Sequence, residues 1–152
     1  MENEISLNTK AILLLTAPLL TGTRHTDGLR PLTPGEYNEF AAFLYRNNKQ
    51  PEDLFSHDSE ILNLYKNESQ IDIERIRLLL NRGMLLAAAL STWQARSIWV
   101  VSRADRHYPQ KFRKLLLNKA PAVIYGCGDN SLLDEQHHLY DDSGQDNCYR
   151  GK

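Results

Sequence analysis

The sequence predicts a mainly α-helical N-terminal region followed by a small strand–helix–strand extension. Apolar residues recur at helical spacing over most of residues 7–96, which is typical of amphipathic helices. The period then changes at residues 97–102, a β-branched and aromatic run that indicates a buried strand. A second short run of this kind, residues 121–126, follows a basic helical segment. The composition, 41% hydrophobic and 24% charged, is that of an ordinary globular protein.

The first two helices are predicted from their starts and their apolar faces. The first covers about residues 7–20, with Ser6 or Asn8 as its N-cap, and the turn formers of residues 21–32 indicate a loop after it. The residues Thr33–Glu36 then have the pattern of a capping box with proline at the first helical position. The apolar face predicted for this second helix consists of Tyr37, Phe40, Ala41, Phe43, Leu44 and Tyr45.

Three further helices are predicted before the first strand. A short helix is capped by Asp58 or Ser59. Residues 71–82 form a strong amphipathic helix, and Gly83 is its expected terminator. Residues 84–96, rich in leucine and alanine, form the last helix of this region.

The extension is predicted to carry a helix between its two strands. Pro109 fixes φ at the first helical position, and the helix runs to about Leu117. Asp105 caps the turn before this helix, and Tyr108 packs back on the first strand. Residues 134–152 are acidic and aperiodic, so we expect a solvated or disordered tail there.

These observations divide the chain into a helical region at 1–96, the extension at 97–133 and the tail at 134–152. The N-terminus is acidic and polar, unlike a signal peptide. The longest apolar stretch, residues 11–20, is about half of the roughly 20 residues that cross a bilayer. The two cysteines are scattered, which is typical of reduced thiols. We therefore expect a cytoplasmic protein without a membrane partner.

Positive charge is concentrated between Arg75 and Lys119. This stretch holds ten Lys or Arg residues against one acid, Asp105, an excess of nine in a chain of net charge −1. Such an excess is typical of a phosphate-binding face, and the alternative is a solvated helical surface whose compensating acids lie elsewhere in the chain. The residues predicted to contact DNA are Arg96, Arg103, Arg106, Lys111, Arg113 and Lys114.

The aromatic residues near this stretch have two interpretations. Trp93, Trp99 and Tyr108 stand at junctions between helix and strand, where we interpret them as core or half-buried anchors. The alternative is that they stack on the bases of a single strand. Neither the histidines nor the cysteines have the spacing of a catalytic or metal site, and no glycine-rich phosphate loop is present. We expect no enzymatic activity, no cofactor and no metal.

Residues 98–128, IWVVSRADRHYPQKFRKLLLNKAPAVIYGCG, follow an ordered pattern. A strand leads to Asp105 and Tyr108-Pro109, a basic helix follows, and Pro121 opens a strand that ends at Gly126. This order closely resembles the DprA/Smf family of DNA-processing proteins, whose pattern is D-x-x-Y-P-x-x-L, a short helix, P-x-x-L-Y and a glycine.

The resemblance covers about residues 70–133 well and residues 5–69 loosely. In the family this segment joins a helical N-terminal domain to a Rossmann-like DNA-binding domain. The intact relatives are non-enzymatic proteins that bind single-stranded DNA and pass it to the RecA recombinase during natural transformation or recombination. The resemblance therefore implies single-stranded DNA as a partner, and contact with RecA or with a second copy of the chain.

The sequence departs from the family after Gly128. The family's Gly-Ser-Arg motif and glycine-rich loops are missing, and nothing from Asp134 onward matches. We expect a truncated DprA-like protein, produced by a frameshift or an early stop, with a native short tail as the alternative. Two rival functions stay open: a helical protein-interaction or regulatory module, for example in a phage-defence or toxin–antitoxin pair, and a nucleotide-binding enzyme.

Overall fold

The computed structural model describes residues 4–19, 29–68 and 71–133. Within these ranges the protein is mainly helical with one two-stranded antiparallel sheet, which confirms the predicted class at this level. The Rossmann-like continuation is not seen in these ranges, and the predicted tail lies outside them. The helices and strands are α1 Leu7–Thr16, α2 Pro34–Arg46, α3 Asp58–Lys66, α4 Ile73–Leu80, α5 Gly83–Ala95, β1 Ile98–Ser102, α6 Gln110–Leu116 and β2 Val123–Cys127.

Helix α1 is the central element of the fold. The Ser6 hydroxyl caps it by accepting a hydrogen bond from the Thr9 N–H at 3.2 Å. Residues 11–15 are all buried, so this helix contacts other elements all around its axis. It ends at Thr16, earlier than predicted, because a residue that precedes proline disfavours the helical region, and Ala17 is accordingly extended.

An aromatic cluster fills the space between α2 and α3. The ring of Tyr65 lies 4.9 Å from that of Phe40 and 4.7 Å from that of Phe43, measured between centroids, and all three side chains are buried. The predicted capping box of α2 is present, with Thr33 and Glu36 each accepting from the other's backbone N–H. Around the aromatic rings pack Ile12, Leu44, Leu54, Ile61, Leu62, Ile76 and Leu79.

The junction between α4 and α5 differs from the prediction. Gly83 does not terminate α4, which ends at Leu80; it is the first residue of α5. The turn depends instead on Arg82, whose buried guanidinium donates to the carbonyl oxygens of Leu14 and, at 3.0 Å, of Ala17. These carbonyls belong to the end of α1, where a helix leaves acceptors unpaired. Arg82 therefore joins the end of α1 to the start of α5.

The extension packs directly on the helical region. Strands β1 and β2 pair with Ile98 opposite Cys127 and Ser102 opposite Val123. The Ser102 hydroxyl lies 2.8 Å from the Thr9 hydroxyl of α1. The Asp105 carboxylate closes the turn after β1 and joins it to α1, because it accepts from the Ser102 N–H at 2.6 Å and from the Thr9 hydroxyl at 2.9 Å.

Between the two strands the chain turns around a buried tyrosine. Tyr108 is 1% exposed and its hydroxyl donates to the Pro121 carbonyl at 2.7 Å. The predicted helix after Pro109 is present as α6, and a short 3-10 turn, Leu117–Lys119, completes it. Along the described ranges, every helix falls short of the length and apolar character that a membrane span requires.

Candidate nucleic-acid interface

The structure divides the basic stretch into residues that build the fold and residues that face solvent. Arg75 is paired with Glu36, with its Nη1 2.8 Å from the Oε1 of that carboxylate, and Arg77 is paired with Glu74. Arg82 is buried, as described above. Glu36 and Glu74 both lie before the basic stretch in the sequence. For Arg75 and Arg77, therefore, the compensating acids do lie elsewhere in the chain.

The six residues predicted to contact DNA do not lie together. Arg96 precedes β1, whereas the other five follow it, between the end of β1 and the start of β2. A five-residue strand separates them, which at about 3.3 Å per residue amounts to roughly 17 Å. Lys119 lies in the same connection. We define the basic surface as Arg103, Arg106, Lys111, Arg113, Lys114 and Lys119.

Helix α6 is exposed along its whole length. None of its residues is buried, and its sequence QKFRKLL contains three cations and no acid. Lys111 lies three residues before Lys114 and four before Leu115, so these side chains share one face of the helix. Leu115 on this face is 78% exposed, and Phe112 is 38% exposed. Apolar and aromatic groups are thus interleaved with the cations.

Two arginines of the basic surface are held in place by the fold. The guanidinium of Arg103 donates to the side-chain oxygen of Asn38 on α2, and that of Arg113 donates to the Arg103 carbonyl. Arg113 also lies over the ring of Tyr108, 5.5 Å from its centroid, in a cation–π contact. These contacts use part of each guanidinium and fix where the remaining donors point.

A cleft of about 520 Å³ separates α2 from the basic surface. Its lining includes Lys49, Arg103 and Arg113, and among the described lining residues there is no acid. Tyr45, at the end of α2, also lines the cleft and is 82% exposed. The wall behind contains Tyr37, whose burial raises the pKa of its hydroxyl to about 12.

A second groove, of about 1100 Å³, runs along β1. It is larger, but its lining combines Lys10 and Arg106 with the carboxylates of Glu4 and Asp105. The Asp105 carboxylate is moreover occupied by the hydrogen bonds that attach the extension to α1. Mixed charge gives this groove less attraction for a phosphate backbone than the cleft beside α2.

The aromatic residues considered from the sequence are mostly part of the packing. Tyr108 is buried, which confirms its interpretation as an anchor. Trp93 is half-buried and meets Tyr125 edge-to-face, with 5.2 Å between the ring centroids. Trp99 is half-buried and lies over Gly126, so closely that a side chain there would overlap its ring.

The residues that sequence reasoning missed are Tyr45 and Lys49. Tyr45 was predicted on the apolar face of α2, and that prediction is wrong because this side chain points to solvent. At about 100° per residue, Tyr45 lies about 200° around the helix axis from Phe43, so the face that buries Phe43 cannot include it. This spacing is the signal in the sequence that separates Tyr45 from the apolar face. Lys49 lies beyond the helix and gave no signal.

Comparisons of this chain with protein-family models, with curated proteins and with solved structures found no match.

Proposed function

We propose that this chain binds single-stranded DNA through the basic surface, as the accessory N-terminal part of a DprA-like DNA-processing protein. The observation that carries the proposal is the exposure of α6, whose cations Lys111, Arg113 and Lys114 face solvent with no acid on the same helix. Cations in this arrangement neutralise phosphates and release the counterions condensed on them. Binding of this kind is independent of base sequence and decreases as salt rises.

The number of cations in the basic surface sets an upper limit on how steeply binding depends on salt. For a single strand the slope of log K against log salt is about −0.7 for each phosphate neutralised. If all six cations of the basic surface contacted phosphates, the slope would be roughly −4. We expect a measured slope between about −2 and −4, because Arg103 and Arg113 are partly occupied by the fold.

The test is fluorescence anisotropy of a labelled oligodeoxythymidine titrated with the purified chain at about 50 mM salt, where such contacts are strong. The double variant Lys111→Ala/Lys114→Ala is expected to bind more weakly and to reduce the slope by about 1.4, that is, by two phosphates. Its melting temperature should match that of the parent, since both side chains are exposed.

The matched control removes two cations that lie outside the basic surface, Lys66 on α3 and Arg96 before β1. The variant Lys66→Ala/Arg96→Ala should retain the affinity and the slope of the parent. Absence of binding by the parent chain at low salt would overturn the proposal. An equal loss in both double variants would show that net charge, and not this surface, is responsible.

Membership of the DprA/Smf family and handover of DNA to RecA are part of the same proposal. They are supported by the ordered pattern of residues 98–128 and by the cations between its two strands. The test is whether the chain accelerates filament formation by RecA on a strand already coated with a single-strand-binding protein. If the rate of RecA filament formation is unchanged at a saturating concentration of the protein, handover to RecA is excluded and only DNA binding stands.

A protein-interaction module without DNA binding is the second candidate, and exposed apolar residues favour it. Met84 is 88% exposed, Leu78 55% and Leu85 37%, and α5 has no charged residue along its length. Light scattering after gel filtration measures whether the chain associates with itself through this region. The variant Met84→Asp should abolish such association and leave DNA binding unchanged.

A further inference from the structure

We infer that the cleft between α2 and the basic surface accepts a nucleotide of a single strand, with its base stacked on Tyr45. The inference rests on the proposed function and deepens it, because it makes the ligand a strand with accessible bases and extends the interface from the extension onto the helical region. It concerns a residue, Tyr45, that precedes Arg103, the first residue of the basic surface, by 58 positions in the sequence.

Asn38 connects the two sides of the cleft. The side-chain oxygen of Asn38 on α2 accepts from Arg103, and its side-chain amide donates to the carbonyl of Asn118. Both partners belong to the connection between β1 and β2, and both line the cleft. The opening between α2 and this connection is therefore set before any ligand arrives, which lowers the entropic cost of binding.

The chemistry of the lining fits a nucleotide. The volume, about 520 Å³, lies within the range of small-ligand sites, about 300–1000 Å³. Ala41 and Leu44 provide an apolar floor, which suits a base. Lys49 and the two arginines provide donors for phosphate oxygens, and the lining residues that the structure describes include no carboxylate that would repel them.

Tyr45 provides the stacking surface. Tyr45 is 82% exposed although its helix buries Phe40 and Phe43, so it has no part in the core. An aromatic ring beside a cationic groove is the arrangement by which proteins hold single strands, because every base has a face that stacks. A paired base within a duplex cannot reach such a ring without unstacking from its neighbours, which is unfavourable.

The experiment compares Tyr45→Ala, Tyr45→Leu and Tyr45→Phe on three labelled probes: an oligodeoxythymidine, an abasic strand of the same length, and a duplex. Loss of the ring in the alanine and leucine variants should weaken binding of the oligodeoxythymidine about 5-fold to 100-fold. The phenylalanine variant should bind like the parent. The abasic strand and the duplex should bind all four proteins alike.

The control is Phe55→Ala, which removes another exposed aromatic ring, 47% exposed, from outside the cleft. It should leave all three probes unaffected. The inference is overturned if Tyr45→Ala binds the oligodeoxythymidine as tightly as the parent, or weakens all three probes equally. In either case the proposed function still stands if Lys111→Ala/Lys114→Ala reduces affinity; if the parent binds none of the probes, both fail.

Discussion

Helices α2 and α6 use the same kinds of residue for opposite purposes. Both contain aromatic and leucine residues at helical spacing, yet Phe40 and Leu44 of α2 are at most 1% exposed, whereas Phe112 and Leu115 of α6 are 38% and 78% exposed. Burial of α2 contributes to stability, because removal of apolar area from water is the dominant favourable term in folding. Exposure of α6 leaves its side chains available to a ligand. The position of a helix in the fold, and not its composition, decides which of these it does.

The two regions also differ in the size of the side chains that they bury. The helical region is held by apolar contacts around the aromatic cluster. The extension contributes small apolar residues to the same interior, Ala122, Val123 and Val100. It is also attached by hydrogen bonds, from Thr9 to Ser102 and Asp105 and from Arg103 to Asn38. Hydrogen bonds specify geometry more than they add stability, each contributing about 0.5–1.5 kcal/mol. We therefore expect substitutions in the helical region to cost the most stability.

The largest effect is expected for Phe40→Ala. Phe40 is completely buried between Phe43 and Tyr65, and removal of its ring leaves a cavity there. The free energy of unfolding, measured by urea denaturation, should fall by about 3–5 kcal/mol. The matched variant in the extension is Leu115→Ala, which should change it by less than about 0.5 kcal/mol. If Phe40→Ala and Leu115→Ala lower the free energy of unfolding by similar amounts, α6 is buried in solution and the contrast between α2 and α6 is wrong.

An intermediate effect is expected for Gly126→Ala within the extension. A methyl group at this position of β2 would overlap the indole of Trp99, which pairs with it across the sheet. The indole must move, at a cost of about 1–3 kcal/mol, and the tryptophan fluorescence spectrum should shift with it. Gly35→Ala is the control, since Gly35 lies in helix α2 with open space around it, and alanine should be neutral or stabilising there. Unchanged stability and fluorescence in Gly126→Ala would contradict the close packing.

The smallest effect is expected for Glu36→Gln, and it depends on pH. Hydrogen bonding to Arg75, and further contacts with Thr33, lower the pKa of Glu36 from 4.5 to about 2. A carboxyl whose pKa is lower in the folded protein contributes stability that is complete above pH 4.5 and is lost as the pH falls towards 2.

At neutral pH the free energy of unfolding of the glutamine variant should therefore be lower by roughly 1–2 kcal/mol. This is less than the full pKa shift implies, because solvent screens the partly exposed pair. The difference from the parent should shrink steadily as the pH is lowered from 4.5 to 2 in urea denaturation. Glu74→Gln, in an ion pair whose carboxylate is 67% exposed, should show a smaller difference. A difference for Glu36→Gln that stays constant over this range would contradict the assigned pKa.

Much of the fold was predictable because local signals agreed with each other. The capping box at Thr33, the proline at 109 and the β-branched run at Ile98 each specify backbone conformation over a few residues. The errors occurred where a distant contact decides. Gly83 has the sequence character of a helix terminator, but the buried guanidinium of Arg82 places the turn before it.

The candidate site was predictable only in part, for the same reason. Proximity in the sequence grouped Arg96 with Arg103, whereas the strand between them carries them to opposite ends of the sheet. Tyr45 belongs to another helix and lies at the cleft because the core and Asn38 hold α2 beside the connection between the two strands. No pattern within either segment contains that information.

The sequence by itself determined the helical class, the position of the two strands and the concentration of positive charge, because periodicity, capping and charge are properties of neighbouring residues. The tertiary structure alone decided which cations remain available. Arg75 and Arg77 form ion pairs and Arg82 forms buried hydrogen bonds, whereas the cations of α6 are exposed to solvent. The physical reason is that solvation and pairing depend on what lies within a few ångströms in space, and residues far apart in the chain supply those neighbours.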